Sequence, residues 1–366
     1  MDEYVHQNMI TYIGNKRKLV SHICDIVKNI SKDLKKEKLD IVDGFCGSTV
    51  VARSFVKYSK NLYTNDLELY SYLMAKCFLV EPSEDDKKLI ENHINTMNSL
   101  IYDVNGVISE NYSPKDTKSI KKDERCFYTN ENANRIDTMR KYIEDNVEEH
   151  LVPYCLSPLL VKSSIHTNTS GVFKGFYKNK EGIGCFGGEG KNALERITKN
   201  IELECPLWHN QPVQVHCFNQ DILDFVKNLP PVDVVYLDPP YNQHPYGSNY
   251  FMLNVIAKNK TEGEISKVSG IPNNWNKSNY NYKQKAKKSM KDLLEALKSK
   301  TKYIIISYNN EGIIKDDEWE DVFESFIYEK KEILYNTFKG SRNLQNRSKD
   351  VMEVLYVLCP KQTSVP

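Results

Sequence analysis

The sequence predicts an α/β fold carried by a mostly parallel sheet, and three observations lead there. Short buried strands alternate with helical stretches over the first eighty residues. The same alternation resumes after about residue 192. A strand, a glycine turn and a helix follow one another in "IVDGFCGSTVV", residues 41–51. Strands separated by helices need crossover connections, and crossovers set like-directed strands side by side.

Taken in order, residues 16–30 place Leu19, Ile23, Ile26 and Val27 at helical spacing. "KLDIVDGF" reads as a buried strand, "CGSTVVARSFVKYS" as a glycine turn opening a second helix, "NLYTND" as a second strand and "LYSYLMAKCFLV" as a third helix. Near Glu81 the pattern breaks. Residues 84–150 are rich in Lys, Asp, Asn and Glu, with helical stretches at 87–101 and 132–147, and 163–191 is glycine-rich, polar and aromatic. Residues 82–186 therefore read as an insertion into a sheet domain. Beyond it, "NALERITKNIE" is expected as a helix, "VQVHCFN" and "VDVVYLD" as strands, "SMKDLLEALKS" as a helix and "KYIIISYN" as a strand. "EILYNTF" and "EVLYVLCP" then form a C-terminal antiparallel hairpin.

The chain has 366 residues, 27% charged and 40% hydrophobic, which suits a soluble globular protein of one or two domains. No apolar run reaches membrane-spanning length. The start "MDEYVHQNMI" is too polar for a secretory signal, and nine cysteines occur without a C-x-x-C pair. Both point to reduced thiols and a cytoplasmic setting rather than to disulfides or zinc. The histidines show no metal spacing, so no metal is expected. A net charge of +1 gives no global sign of a nucleic-acid partner, although basic clusters occur at Lys16–Lys18, at Lys283–Lys288 and at Arg342 and Arg347.

Four stretches carry chemistry. In "IVDGFCGSTVV", Asp43 ends a strand, and Gly44 and Gly47 permit a tight turn whose amides can face a nucleotide-like ligand. Asp66 ends the second strand and suits either ribose hydroxyls or a helix N-cap, with Glu68 as the competing acid. Asp221 suits an adenine amino group or the cap of "ILDFVKNL". The sharpest signal is "VVYLDPPYNQHPYG", residues 234–247. There a stiff Asp238-Pro239-Pro240-Tyr241 turn offers a carboxylate and a carbonyl as converging acceptors, because proline restricts the backbone and donates no N–H. Two fixed acceptors match an amino group with two hydrogens, and Tyr241 offers a face on which a planar, everted base can stack.

These motifs, in this order, resemble those of bacterial DNA adenine methyltransferases that use S-adenosylmethionine, including Dam-type and restriction-modification enzymes. "YIGNKRKL" at 12–19 resembles the family's N-terminal cofactor motif and carries over Tyr12, Gly14 and Lys16. "DGFCGS" resembles D-x-F-x-G-x-G and carries over Asp43, Phe45 and Gly47, with Thr49 where many members have a last glycine. Asp66 matches the ribose-binding acid, Asp221 the adenine-contacting acid, and Asp238, Pro239, Pro240 and Tyr241 the catalytic DPPY. "NTSGVFKGF", "GGEGKNAL", "SYNNEG" and "GSRNLQNRSK" resemble the subgroup with a central target-recognition insertion.

The resemblance implies a Rossmann-like class I methyltransferase sheet. Residues 1–81 are its cofactor-binding part, 82–186 the inserted target-recognition region and 187–366 the catalytic part. It implies S-adenosylmethionine as cofactor, double-stranded DNA as partner, and a cognate restriction endonuclease as a further possible partner. The expected reaction is methyl transfer to adenine N6 by base flipping and direct in-line transfer. Lys174, Lys178, Lys191, Arg342 and Arg347 are candidate phosphate contacts, although each taken singly fits a solvated surface better. His166, Asn168 and Ser170 are candidate base readers that can equally cap turns. Cys46 reads as a packing residue, and no Pro-Cys dipeptide is present for cytosine C5 chemistry. Competing readings are a cytosine-N4, RNA-adenine or protein-glutamine methyltransferase, or a catalytically silent DNA-binding shell. Asp238 favours adenine, since the N4 enzymes more often carry serine and the glutamine enzymes asparagine at that position.

Overall fold

The computed structural model describes residues 2–7, 9–10, 12–336 and 350–361. The chain divides into a sheet unit, Lys16–Leu67, Asn210–Pro245 and Lys277–Pro366, and a helical unit, Met1–Asn15, Glu68–His209 and Tyr246–Asn276.

The sheet unit holds seven strands: β1 Leu39–Asp43, β2 Ser59–Asn65, β3 Gln214–Phe218, β4 Val232–Leu237, β5 Thr301–Asn309, β6 Phe326–Asn336 and β7 Asp350–Pro360. Their order is β3-β2-β1-β4-β5-β7-β6. The first five run parallel, and β7 pairs antiparallel with both β5 and β6. This is the α/β sheet with a C-terminal antiparallel pair that the alternation predicts. Every side chain of β4 is buried, as in a strand covered on both faces. Beneath one face, Phe225, Val226, Met290, Leu293, Leu294 and Leu297 pack with Val235, Leu237, Ile304 and Ile306. The helix Lys283–Leu297 supplies the last four of the helical residues, at the spacing of one helix face. Strand order doubles back after β3, from the β2 side of β1 to β4 on its other side. That reversal makes the carboxyl ends of β1 and β4 a topological switch point, where open α/β sheets hold their ligands.

In the helical unit the helices Glu84–Asn98 and Asn130–Asn146 lie close to their expected places. Ser83 and Thr129 cap them, accepting from the amides of Asp86 (3.2 Å) and Asn132 (3.1 Å). Two further helices, Val152–Ile165 and Phe251–Lys258, have no counterpart in the sequence reading. Val152–Ile165 is buried on nearly all sides, so it has no polar stripe to reveal a helical period. The helix expected over "NALERITKNIE" is only Leu194–Thr198. Beyond it the chain is held extended: Asn132 donates to Lys199 O (3.0 Å) and accepts from Ile201 N (2.9 Å), and Asn98 does the same for Leu203 O (2.9 Å) and N (2.8 Å). Two asparagines thus take backbone groups that a longer helix would have used itself. Residues 187–209 accordingly join the helical unit together with 246–276.

The glycine-rich stretch 163–191 is tied down in a similar way. Asn168 is fully buried. Its amide donates to Cys126 O (2.7 Å) and Cys185 O (3.3 Å), and its carbonyl oxygen accepts from Gly187 N (3.0 Å). His166 is also buried and bonds Arg196 O at 2.6 Å. In this structure both side chains hydrogen-bond backbone groups, Asn168 those of Cys126, Cys185 and Gly187 and His166 that of Arg196. Asn168→Ala leaves Cys126 O and Gly187 N without this partner, and a loss of about 2–3 kcal/mol is expected. It should appear as a lower urea midpoint at unchanged slope.

Candidate active site

The carboxyl ends of the parallel strands gather acids. Asp43 is the last residue of β1, Asp66 follows β2, Asp221 follows β3 and Asp238 follows β4. The loop after β1 is tightly built. Gly44 N donates to Tyr236 O (2.9 Å), and a Cβ on Gly44 would lie 3.0 Å from both Ile222 Cδ1 and Leu237 Cδ2. Gly47 has φ +47° and donates its amide to Asp66 Oδ2 at 2.8 Å. Asp66 therefore braces the loop. The N-cap position of the helix Leu69–Leu79 is taken by Glu68, not Asp66. Thr49, where the resemblance leads one to expect glycine, adopts φ +66° with its side chain fully buried. A β-branched residue is strained in that region, so the missing glycine changed the residue and not the path of the chain.

Asn65 went unnoticed in the sequence. It donates to Gln220 O (3.1 Å) and accepts from Gln220 N (3.2 Å), which fixes the loop after β3 beside the end of β2. Asp221 is exposed and accepts from Leu223 N (2.9 Å), capping the helix Ile222–Lys227. Phe45 meets the edge of Tyr280 at 5.4 Å.

The turn after β4 is clamped from several sides. Lys16, itself buried, places Nζ 3.0 Å from Asp238 Oδ1 and 5.3 Å from the centre of the Tyr241 ring. Tyr241 O accepts from Ile313 N (2.9 Å), and the Tyr308 ring stands edge-on to Tyr241 at 6.0 Å. Tyr308 is in turn fixed through its hydroxyl, which accepts from Ile314 N (3.1 Å). The "SYNNEG" stretch is thus a buttress for the turn. Among the described residues nothing donates to the Pro239 carbonyl or to the second Asp238 oxygen. Those two acceptors are the pair that the sequence picked out.

Electrostatics follow from burial. Burial raises the Asp238 carboxyl above its ordinary range, and the Lys16 ammonium pulls it back. Asp43 is raised well above that range, chiefly by burial and then by the charges of Asp238 and Asp66, although amides of Phe45 and Ala52 bond to it. Glu353 on β7 sits opposite Asn309 of β5. It is also raised by burial, with Lys16 lowering and Asp238 raising it.

In the helical unit, Tyr12 stacks on Tyr246 (4.9 Å) and Tyr250 (4.7 Å), and its hydroxyl bonds that of Tyr70 (3.1 Å). Tyr250 and Tyr246 hydroxyls bond Ile13 N (2.7 Å) and O (2.9 Å), so the turn carrying Gly14, at φ +76°, is anchored on both sides. The boundary between the two units falls within this motif, between Asn15 and Lys16. Lys174, Lys178 and Lys191 are exposed on the helical unit. Arg342 and Arg347 lie outside the described residues.

Asp43 supports a test of stability. A carboxyl whose folded value is raised makes the native state bind more protons than the unfolded one, so stability falls as pH rises through that window. Asp43→Asn has no such loss. Relative to wild type it should gain stability as pH rises above about 4 in paired urea titrations, with no gain at the acid end.

The comparisons with known proteins fit this geometry. A family model described as D12 class N6 adenine-specific DNA methyltransferase matches residues 12–322. The modification methylase StsI of Streptococcus sanguinis is 29% identical over 96% of this chain and 52% of its own length. The type II methyltransferases M.NlaIII of Neisseria lactamica and M.CviAII of Paramecium bursaria Chlorella virus 1 are each 27% identical, over 95% and 97% of this chain and 99% and 100% of their own lengths. The chain thus spans about half of the first relative and essentially all of the other two. Among solved structures, the bifunctional kinase-methyltransferase WbdD aligns with 94% of this chain and 40% of its own at 9% identity and a TM-score of 0.35. On the strength of the family match, this chain belongs to the D12 class of N6 adenine-specific DNA methyltransferases.

Proposed function

We propose that the chain transfers a methyl group from S-adenosylmethionine to the N6 amino group of adenine at a short sequence in double-stranded DNA, as the modification partner of a restriction endonuclease. The observation that carries this reading is the free acceptor pair of the catalytic turn, the second Asp238 oxygen and the Pro239 carbonyl, at the switch point of a parallel sheet. The type II and modification names of the relatives support the restriction-modification setting. A cytosolic location is in keeping with the DNA substrate, and no described helix is long and apolar enough to cross a membrane.

The residues after β1 and β2 suit the cofactor. Asp43 Oδ1 is buried and takes no hydrogen bond among the described residues, a ready acceptor, and the Gly44–Gly47 turn is braced by Asp66. Asp43, Phe45, Gly47, Asp66 and Asp221 would hold it, with Lys16, Tyr12 and Gly14 from the N-terminal motif. When bound, the cofactor supplies an electrophilic methyl group.

The chain's own residues prepare the nucleophile. The adenine amino lone pair is delocalised into the ring, so the nitrogen attacks poorly while planar. Acceptors at Asp238 and Pro239 draw on both N–H bonds and favour a pyramidal nitrogen whose lone pair is localised and aimed. Positioning of this kind accounts for much of the rate in a displacement with no covalent enzyme intermediate. As the nitrogen gains positive charge, the Asp238 carboxylate stabilises it and can accept the proton it sheds. Tyr241 offers the everted base a face for stacking, which offsets part of the few kcal/mol spent on unstacking. Lys174, Lys178, Lys191, Arg342 and Arg347 are proposed to contact phosphates, and such contacts weaken with added salt.

Asp238→Asn keeps the shape of the turn and replaces one acceptor with a donor. Single-turnover methylation of a plasmid should fall by about 10²–10³-fold, with S-adenosylmethionine affinity nearly unchanged. Equal loss of both would mean that Asp238 mainly supports the fold. Lys16→Met removes the cation that lowers the Asp238 carboxyl. Because the transferring form is the carboxylate, the acid limb of the pH–rate profile should move to higher pH.

A further inference from the structure

The residues that follow the catalytic turn make a detour. The chain leaves the sheet unit after Pro245, contributes Tyr246–Asn276 to the helical unit, and returns at Lys277. A turn that must keep two acceptors aligned is therefore followed at once by a long excursion. Alignment is lost if the exit point wanders, and a displacement of about 1 Å can cost 10²-fold in rate.

The exit is held. Asn242, next to Tyr241, accepts from His244 N through its own side chain (2.9 Å) and so closes a tight turn. Its backbone carbonyl accepts from Asn281 Nδ2 at 2.7 Å. Asn281 is 4% exposed and belongs to the one-turn helix Asn279–Asn281, which lies just past the return point. The neighbouring Tyr280 is buried against Phe45 of the loop after β1 and donates its hydroxyl to Ser289 O (3.3 Å) on the helix Lys283–Leu297. One short helix thus reaches the loop after β1 through Tyr280 and the loop after β4 through Asn281.

We propose that Asn281 is a positioning residue for methyl transfer: its amide fastens the Asn242 carbonyl, closes the neck of the Tyr246–Asn276 excursion, and keeps the Asp238–Tyr241 acceptors in line. It acts through the backbone of the turn and need not touch the substrate. Its Oδ1 is buried and takes no hydrogen bond among the described residues, so the side chain is held by the single bond from its amide to Asn242. That makes its donor function separable by substitution. The inference rests on the adenine methyltransferase reading.

Two full-length variants test it together. Asn281→Asp keeps the volume and replaces the donor with an acceptor, and Asn281→Ala removes the donor without adding charge. Asn279→Ala, at an exposed position on the same helix, is the control. Single-turnover methylation of a plasmid, KM for DNA and equilibrium binding of S-adenosylmethionine are measured for each. Expected is a fall in single-turnover rate of about 10–100-fold in both Asn281 variants, with KM for DNA and cofactor affinity within about threefold of wild type and the control unchanged. A rate near wild type in either Asn281 variant overturns the assignment. So does a cofactor affinity that falls in step with the rate, the mark of general loosening. A wild type that methylates no adenine overturns the functional reading itself, whereas an active wild type with active Asn281 variants overturns only the role of Asn281.

Discussion

The Lys16–Asp238 ion pair is the interaction on which the catalytic end of the sheet depends. Asp43 ends β1, Asp66 and Asp238 directly follow β2 and β4, and Glu353 adds another acid from β7. Burial raises the Asp43, Asp238 and Glu353 carboxyls, and repulsion from the Asp238 charge adds to the rise of Asp43 and Glu353. A buried ammonium 3.0 Å from Asp238 offsets that repulsion where the carboxylate form is needed. It does so through Oδ1 and leaves the other oxygen to ligands. One cation thus makes the acidic cluster tolerable and divides the work of the Asp238 carboxylate between structure and chemistry.

The turn itself is rigid for reasons beyond its prolines. Proline restricts φ but contributes no donor, so the turn's carbonyls must be fixed by donors from elsewhere or left open. Both outcomes occur. Ile313 N fixes Tyr241 O and Asn281 Nδ2 fixes Asn242 O, while Pro239 O receives nothing from the described residues. The clamped carbonyls follow the open one in sequence, which holds the chain without occupying the acceptor that chemistry requires.

The helical unit solves a different problem. Its polar, glycine-rich stretch has few apolar residues with which to pack, and buried amide side chains substitute for them. Asn98, Asn132 and Asn168 each satisfy both donor and acceptor groups of neighbouring backbone. A buried backbone group without a partner is costly, so these side chains specify the path of segments that form no regular element.

Local signals in the sequence were enough for the alternation of strands and helices, the parallel sheet and the motif residues at strand ends. Strand periodicity, glycine at a tight turn and proline after a strand all act over a few residues, and a reader sees them without knowing the fold. The helix Val152–Ile165 escaped notice because burial around most of its circumference erases the polar stripe that marks a period, and Phe251–Lys258, with eight residues, is too short to show one. "NALERITKNIE" misled because helix propensity is a weak prior, and Asn132, far away in sequence, took its backbone groups. Lys16 was legible as part of a motif, but its pairing with Asp238 joins residues more than two hundred positions apart. Asn65, Ile313 and Asn281 carry no motif at all. Their importance comes from which backbone atom each meets, and only the folded chain decides that.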